Sequence, residues 1–231
     1  SFTQKEFLIH QNLINNESAL VLGKGSLSGV DLNRFKPSIQ EKESLRKKLN
    51  ISSKDVVFLF VGRIKKDKGV FELIKAFKSI SKKYSNTVLL IVGPDEDNLI
   101  DELTTILDSS IKYTRFIDFT KTPEIFMMAS DIFVIPSYRE GFGSVVIESA
   151  SCGIPSIGSD IYGLSDAIKD GETGILTSVK SEEDLETAMI TLLEDEILRN
   201  KMGNRALHHA QDNFSQDILT QLLMDLYESV V

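Results

Sequence analysis

From Asp55 onward the chain alternates short runs of β-branched, aromatic and aliphatic residues with longer segments whose apolar positions recur every three or four residues. This alternation constrains the fold more than any other feature. Strands of uniform apolarity must be buried on both faces, and a parallel sheet covered by helices is the arrangement that achieves this. Six runs qualify: residues 56–62 (VVFLFVG), 88–93 (VLLIVG), 112–117 (KYTRFI), 131–136 (DIFVIP), 154–159 (IPSIGS) and 173–177 (TGILT). Between them Leu73, Ile74, Phe77 and Ile80 mark one buried helix stripe, and Leu99, Leu103, Ile106 and Leu107 mark another. Beyond the sixth run the pattern is wholly helical, with Leu185, Met189 and Leu192 on one face and Ile218, Leu222, Leu223 and Leu226 on a later one. The sequence thus predicts an α/β fold: a Rossmann-like doubly wound parallel sheet of about six strands, helices on both faces and a helical C-terminal cap.

The first 55 residues are less regular. A helix is expected through Phe7 to Leu13, a short strand at Ala19 to Leu22, and then a Gly-rich turn into VDLNRFKP, so the segment reads as a linker. Gly23 and Gly25 spell G-x-G, but Asp31, Asn33 and Pro37 follow where a dinucleotide-binding fingerprint needs a helix.

Composition limits the partners. Thirty-four acidic against twenty-six basic side chains give a net charge of -8, which disfavours a nucleic-acid binder and requires any anion site to be local. Cys152, the single cysteine, can form no internal disulfide and no cysteine-based zinc cage, and a reducing, cytosolic setting fits. No apolar run approaches the roughly 20 residues of a membrane span. Ser1 opens no charged-then-apolar leader, and the chain reads as a fragment.

In open parallel sheets the ligand crevice lies beyond the carboxyl ends of the strands. After the first run comes GRIKKDKG, with Arg63, Lys65, Lys66 and Lys68 clustered in an acidic chain. Two readings fit: a local anion site, or a solvated basic loop with Asp67 capping the next helix. After the fourth run comes SYREGFGSVVIESASCG, where Gly141 and Gly143 permit close backbone approach and a helix begins at once. The N-terminus of such a helix, at Ser144, suits phosphate. Glu148 lies about 6 Å up that helix, while Glu140 precedes the turn, so the two carboxylates frame the anion position and suit sugar or ribose hydroxyls. An exposed glutamate and a helix-face glutamate with no ligand describe the same residues. After the second run, Asp95-Glu96-Asp97 spells D-x-D, which could bind a divalent cation but is explained more simply as helix capping. His208 and His209 read as surface residues, as does His10, and Cys152 reads as a small core residue.

The succession SGVDLNRFKPS (28–38), FVGRIKKDKGVFELIKAF (60–77), IVGPDED (91–97), PSYREGFGSVVIESASCGIPSI (136–157) and DGETGIL (170–176) resembles the nucleotide-binding half of the family-4 retaining glycosyltransferases of GT-B fold. Five motifs match in order across nearly the whole chain, above all the two glutamates separated by seven residues. The resemblance implies one half of a GT-B fold, with 1–38 a remnant of the preceding domain and interdomain linker and 39–231 the domain that binds a nucleotide-sugar donor, UDP-linked by preference. It implies catalytic roles for Arg63 and Lys68, which would hold the donor diphosphate, and for Glu140, which would contact the donor sugar. Gly62, Gly141, Phe142, Gly143 and Ser144 would approach the phosphates, the amides of Phe142 and Gly143 directly; Glu148 would bind ribose, and Ile117 and Phe119 would flank the base. In place of the glycine usual in that family stands Ile117-Asp118. Lys65 and Lys66 would face solvent.

No metal and no cofactor are implied, the nucleoside-diphosphate sugar being the substrate. Retention in that family is attributed to front-face attack, with the donor phosphate helping to take the acceptor proton. The acceptor, a sugar or lipid-linked glycan, would be bound by a missing N-terminal domain, and the setting would be cytoplasmic, peripheral to the inner membrane face, in surface polysaccharide or glycolipid synthesis. A nucleotide-sugar 2-epimerase shares the architecture but lacks the paired-glutamate motif. A non-catalytic nucleotide-binding module is the alternative from a different class.

Overall fold

The computed structural model describes residues 1–26 and 28–230; Leu27 and Val231, the latter the last residue of the expected domain, lie outside the described residues. Six parallel strands form one sheet: β1 (Val56–Val61), β2 (Thr87–Val92), β3 (Thr114–Ile117), β4 (Ile132–Ile135), β5 (Ser156–Ser159) and β6 (Gly174–Thr177). Their spatial order, β3-β2-β1-β4-β5-β6, is that of the Rossmann fold and reverses between β1 and β4.

Alternate residues of β1 serve opposite layers. Val57 and Leu59 join a core with α2 (Ile39–Lys48), α5 (Pro123–Ala129) and α6 (Ser144–Ser151). Phe58 and Phe60 join a second core with α3 (Val70–Lys83), α4 (Ile100–Leu107) and α8 (Glu182–Glu194). Leu73, Ile74, Phe77 and Ile80 are completely buried there, as their spacing predicts. The chain closes with α9 (Glu196–Phe214) and α10 (Gln216–Val230).

Both outer strands are four residues long, and side chains occupy their free edges. On β3, Arg115 turns its guanidinium onto the carbonyls of Lys112 and Thr114, at 2.8 and 3.0 Å. On β6, the Asp170 carboxylate accepts from the Leu176 amide at 2.9 Å.

Several expectations change. Residues 108–113 form a 3-10 turn, entered through Asp108 at φ +51°, so the third strand starts at Thr114 rather than at Lys112. Helix α1 spans Phe2–His10, capped by Ser1, because the Ser1 hydroxyl accepts from the Gln4 amide and starts the helix earlier than Phe7. No strand occurs at Ala19 to Leu22 among the described residues; the sheet is complete without it. In α10, Leu219 takes the buried position, while Leu223, expected on the inner stripe, is 40% exposed. Val30 and Phe35, from the expected linker, are buried in the first core, and Val30 exchanges backbone hydrogen bonds with Phe214 and Gln216.

Candidate functional site

The register opens the crevice. β1 and β4 pair only at Phe58–Ile132 and Leu59–Phe133, so beyond those residues the carboxyl ends of the two strands separate. The loops that follow are stitched together. Gly69 adopts φ +68°, and a Cβ on it would lie 2.0 Å from the Pro136 carbonyl oxygen, so only glycine lets the loop after β1 touch the loop after β4. The Tyr138 amide donates to the Asp67 carbonyl at 2.8 Å. Across this joint the Lys68 ammonium donates to Glu140 Oε1 at 2.7 Å, and the Ser137 hydroxyl donates to the same oxygen at 2.9 Å.

A second source of positive potential faces the same place. Gly143, at φ +70°, turns the chain into α6, and a Cβ there would meet Leu164 at 2.6 Å. The amides of Phe142, Gly143 and Ser144 carry no hydrogen bond among the described residues, as expected for the start of a helix. The Phe142 side chain is buried against Phe214, ring centroids 5.4 Å apart, so this residue offers the crevice its backbone. Two adjoining depressions, of about 360 and 210 Å³, bring together Gly62, Arg63, Lys68, Glu140, Gly141, Gly143 and Ser144. Gln4 and Tyr162 complete the outer wall, with Phe7 stacked on Tyr162 at 4.6 Å and Thr3 bonded to the Asp166 carboxylate.

The basic loop resolves into distinct parts. Lys68 is drawn inward, with 15% of its side chain exposed, whereas Arg63 is 52% exposed and rests on Glu96 at 3.3 Å. Lys65, expected to face solvent, pairs with Glu96 at 3.1 Å and Asp97 at 3.7 Å because the loop after β2 runs alongside; Lys66 is exposed. The Lys65 hydrogen bond in turn holds the Glu96 carboxyl below its usual range. Asp67 does not cap α3: Gly69 occupies the cap position and Asp67 pairs with Arg139 at 3.3 Å. Asp95 accepts from the amides of Leu99 and Ile100, one on each oxygen, and so satisfies backbone donors at the start of α4.

Glu148 does not line these depressions, and the charges that act on its carboxyl are Arg34 and Glu124. Burial pushes its carboxyl up to about 7, with Glu124 adding to the shift and Arg34 opposing it. Arg34 is itself fixed by Glu124 at 2.7 Å and by the Lys121 carbonyl at 2.6 Å. Sequence reading assigned Arg34, Glu124 and Ser137 no role; Arg34 and Ser137 stand inside the quoted motifs, while Glu124 gave no signal. Ile117 ends β3 at the same edge of the sheet, half-buried, and Phe119 is 66% exposed. His208 is exposed, but His209 is half-buried edge-on to Phe214, with Nε2 unpartnered among the described residues and burial pulling its pKa down. Cys152 is buried, and its thiol is pushed up to about 12 by that burial.

A larger cleft, about 640 Å³, lies at the opposite, amino ends of the strands. Its deepest charges already serve one another: Asp131 accepts from Arg46 at 2.6 Å, Lys42 at 2.7 Å and the Val57 amide at 2.8 Å.

Fold and site together define a Rossmann-like domain whose crevice offers an inward lysine and a free helix N-terminus. The family model "Glycosyl transferases group 1" matches residues 41–209, and the chain belongs to that family. It corresponds to the carboxy-terminal half of the GT-B fold. It is 32% identical over 226 residues to the capsular polysaccharide biosynthesis glycosyltransferase CapM of Staphylococcus aureus, a match covering 97% of this chain and 59% of CapM. The chain spans about half the length of the next curated relatives, such as the D-inositol 3-phosphate glycosyltransferase of Rhodococcus erythropolis, of which it covers 46%. Among solved structures, the C-terminal domain of the group 1 glycosyl transferase LpcC of Francisella tularensis matches with TM-score 0.68 at 26% identity, over 84% of this chain and 97% of that one. Anabaena HepE shares the fold with TM-score 0.88 at 22% identity, over 99% of this chain and 62% of that one.

Proposed function

We propose that the chain binds a nucleoside-diphosphate sugar between the loops after β1 and β4 and serves as the donor half of a retaining glycosyltransferase. The carrying observation is convergence: the Lys68 ammonium and the free amides at the start of α6 meet beside Glu140 in one crevice. Lys68 and Arg63 neutralise the charge that develops on the diphosphate as the glycosidic bond breaks. The amides of Phe142, Gly143 and Ser144 take phosphate oxygens, and Gly62 and Gly141 admit them closely. Glu140 faces the donor sugar, Glu148 accepts from ribose hydroxyls, and Ile117 and Phe119 flank the base.

UDP is the first nucleotide to test, because HepE has been solved with UDP and with UDP-glucose. Transfer to an acceptor hydroxyl of a growing surface polysaccharide is favoured by the likeness to CapM, with the acceptor held by a domain outside this chain. No helix among the described residues is long and apolar enough to cross a membrane.

Calorimetric titration of UDP, GDP and ADP into the chain tests the reading. Binding of UDP that survives EDTA is expected, since two cations and a helix N-terminus already supply the positive potential. Loss of affinity in EDTA, restored by magnesium or manganese, would refute the metal-free site.

A further inference from the structure

Ser137 follows β4 and Pro136, and its side chain is completely sealed from solvent. Its hydroxyl carries a single hydrogen, which is directed at Glu140 Oε1. Lys68 reaches the same oxygen, and Oε2 takes no hydrogen bond among the described residues. Two donors on one oxygen fix the carboxylate's rotation and leave the other oxygen to the crevice.

The two tethers differ in kind. Lys68 holds Glu140 through a flexible stem and a rotatable ammonium, and an arriving diphosphate, with more negative charge than one carboxylate, draws it away. Ser137 cannot follow. Its backbone lies between Pro136, packed on Gly69, and Tyr138, whose amide is bonded to Asp67 and whose hydroxyl donates to Glu72 at 2.8 Å.

We propose that Ser137 is a positioning residue that keeps Glu140 in place once Lys68 has moved to the diphosphate, so that Oε2 meets the donor sugar. This inference rests on the donor reading above. Without Ser137, Glu140 is tethered only in the empty site and swings free when the donor arrives. The loss therefore falls on the sugar and not on the nucleotide.

The test compares Ser137→Ala and Ser137→Thr with the unaltered chain, titrating UDP and UDP-glucose separately. Ser137→Ala should leave UDP affinity within about twofold while weakening UDP-glucose about three- to tenfold, the range of one ordinary hydrogen bond. Ser137→Thr, which restores the hydroxyl, should recover UDP-glucose. A merely structural role would lower both affinities together, and that result, or no change in either, overturns the proposal. If the unaltered chain binds neither ligand, the donor reading fails, whereas an unaltered chain that binds both while Ser137→Ala loses no affinity for UDP-glucose overturns the positioning role by itself.

Discussion

Lys68 and Glu140, 72 positions apart in sequence, meet at 2.7 Å with only 15% and 17% of their side chains exposed. The pair joins the loops after β1 and β4 at the point where the sheet reverses its strand order, so a charge entering the crevice competes directly with Glu140 for the lysine.

Lys68→Ala should weaken UDP binding by about 2 to 5 kcal/mol, the cost of removing one member of a desolvated charge pair. Arg63→Ala should cost less, because that guanidinium starts from a solvated position on Glu96. Lys65→Ala, whose ammonium is held away from the crevice by Glu96 and Asp97, should leave affinity nearly unchanged. Calorimetry on the three variants separates these outcomes, and equal losses at all three would indicate a diffuse basic loop.

The two glutamates should respond to different ligands. Glu148→Ala should weaken UDP and UDP-glucose alike, by about 1.5 to 3 kcal/mol for charge-assisted hydrogen bonds. Glu140→Ala should not weaken UDP, since it frees Lys68 for the phosphate, and should erase any preference for the sugar-bearing ligand. Titration of both ligands into both variants, with circular dichroism to verify folding, decides the matter.

Glu148 also sets a pH dependence. Its carboxyl moves from the usual 4.5 to about 7 on folding. Below pH 4.5 both folded and unfolded chains hold the proton; as pH rises from there to 7 the unfolded chain sheds it first, so the folded state loses stability, on the order of 3 kcal/mol in full. Denaturant titrations of Glu148→Gln across this window should show that slope removed. Binding should run the opposite way. A carboxylate that accepts from ribose is deprotonated, so UDP-glucose, whose diphosphate does not titrate here, should bind more tightly at pH 8 than at pH 6, and Glu148→Gln should flatten the profile. Arg34 and Glu124, the other charges facing this carboxyl, remain in both proteins.

Asp131→Ala should lower stability by about 3 to 5 kcal/mol, because it strands the buried Arg46 and leaves the Val57 amide without its acceptor. Chemical denaturation measures the loss, and the crevice at the far end of the strands should bind UDP as well as in the unaltered chain, measured on the folded fraction.

Polarity pattern carried the architecture: each of the six runs overlaps a strand, and β1, β2, β4 and β5, buried on both faces, left the clearest signature. Ala19 to Leu22 shows where that signature misleads, for four apolar residues become a strand only if an edge is available to pair. The helix start at Ser144 was legible from its glycines, because a left-handed turn leaves few alternatives at Gly143. Side-chain traffic was not. That Lys65 would turn to Glu96 while Lys68 turned to Glu140, that Asp67 would prefer Arg139 to a helix cap, and that Arg34 and Glu124 would gather around Glu148 all depend on which loops the strand order sets side by side. His209 follows the same rule: adjacent histidines look alike in sequence, yet only one faces Phe214.

The blocked margins of the sheet bear on how the protein behaves in concentrated solution. Exposed strand edges recruit other chains into continuous sheets, the first step toward aggregates. Here Arg115 and Asp170 fill hydrogen-bonding positions that an incoming strand would need, on β3 and β6 respectively, and neither strand exceeds four residues. Replacing both by alanine would open those margins, and the resulting growth of large particles, followed by light scattering, would report how much colloidal resistance two side chains provide.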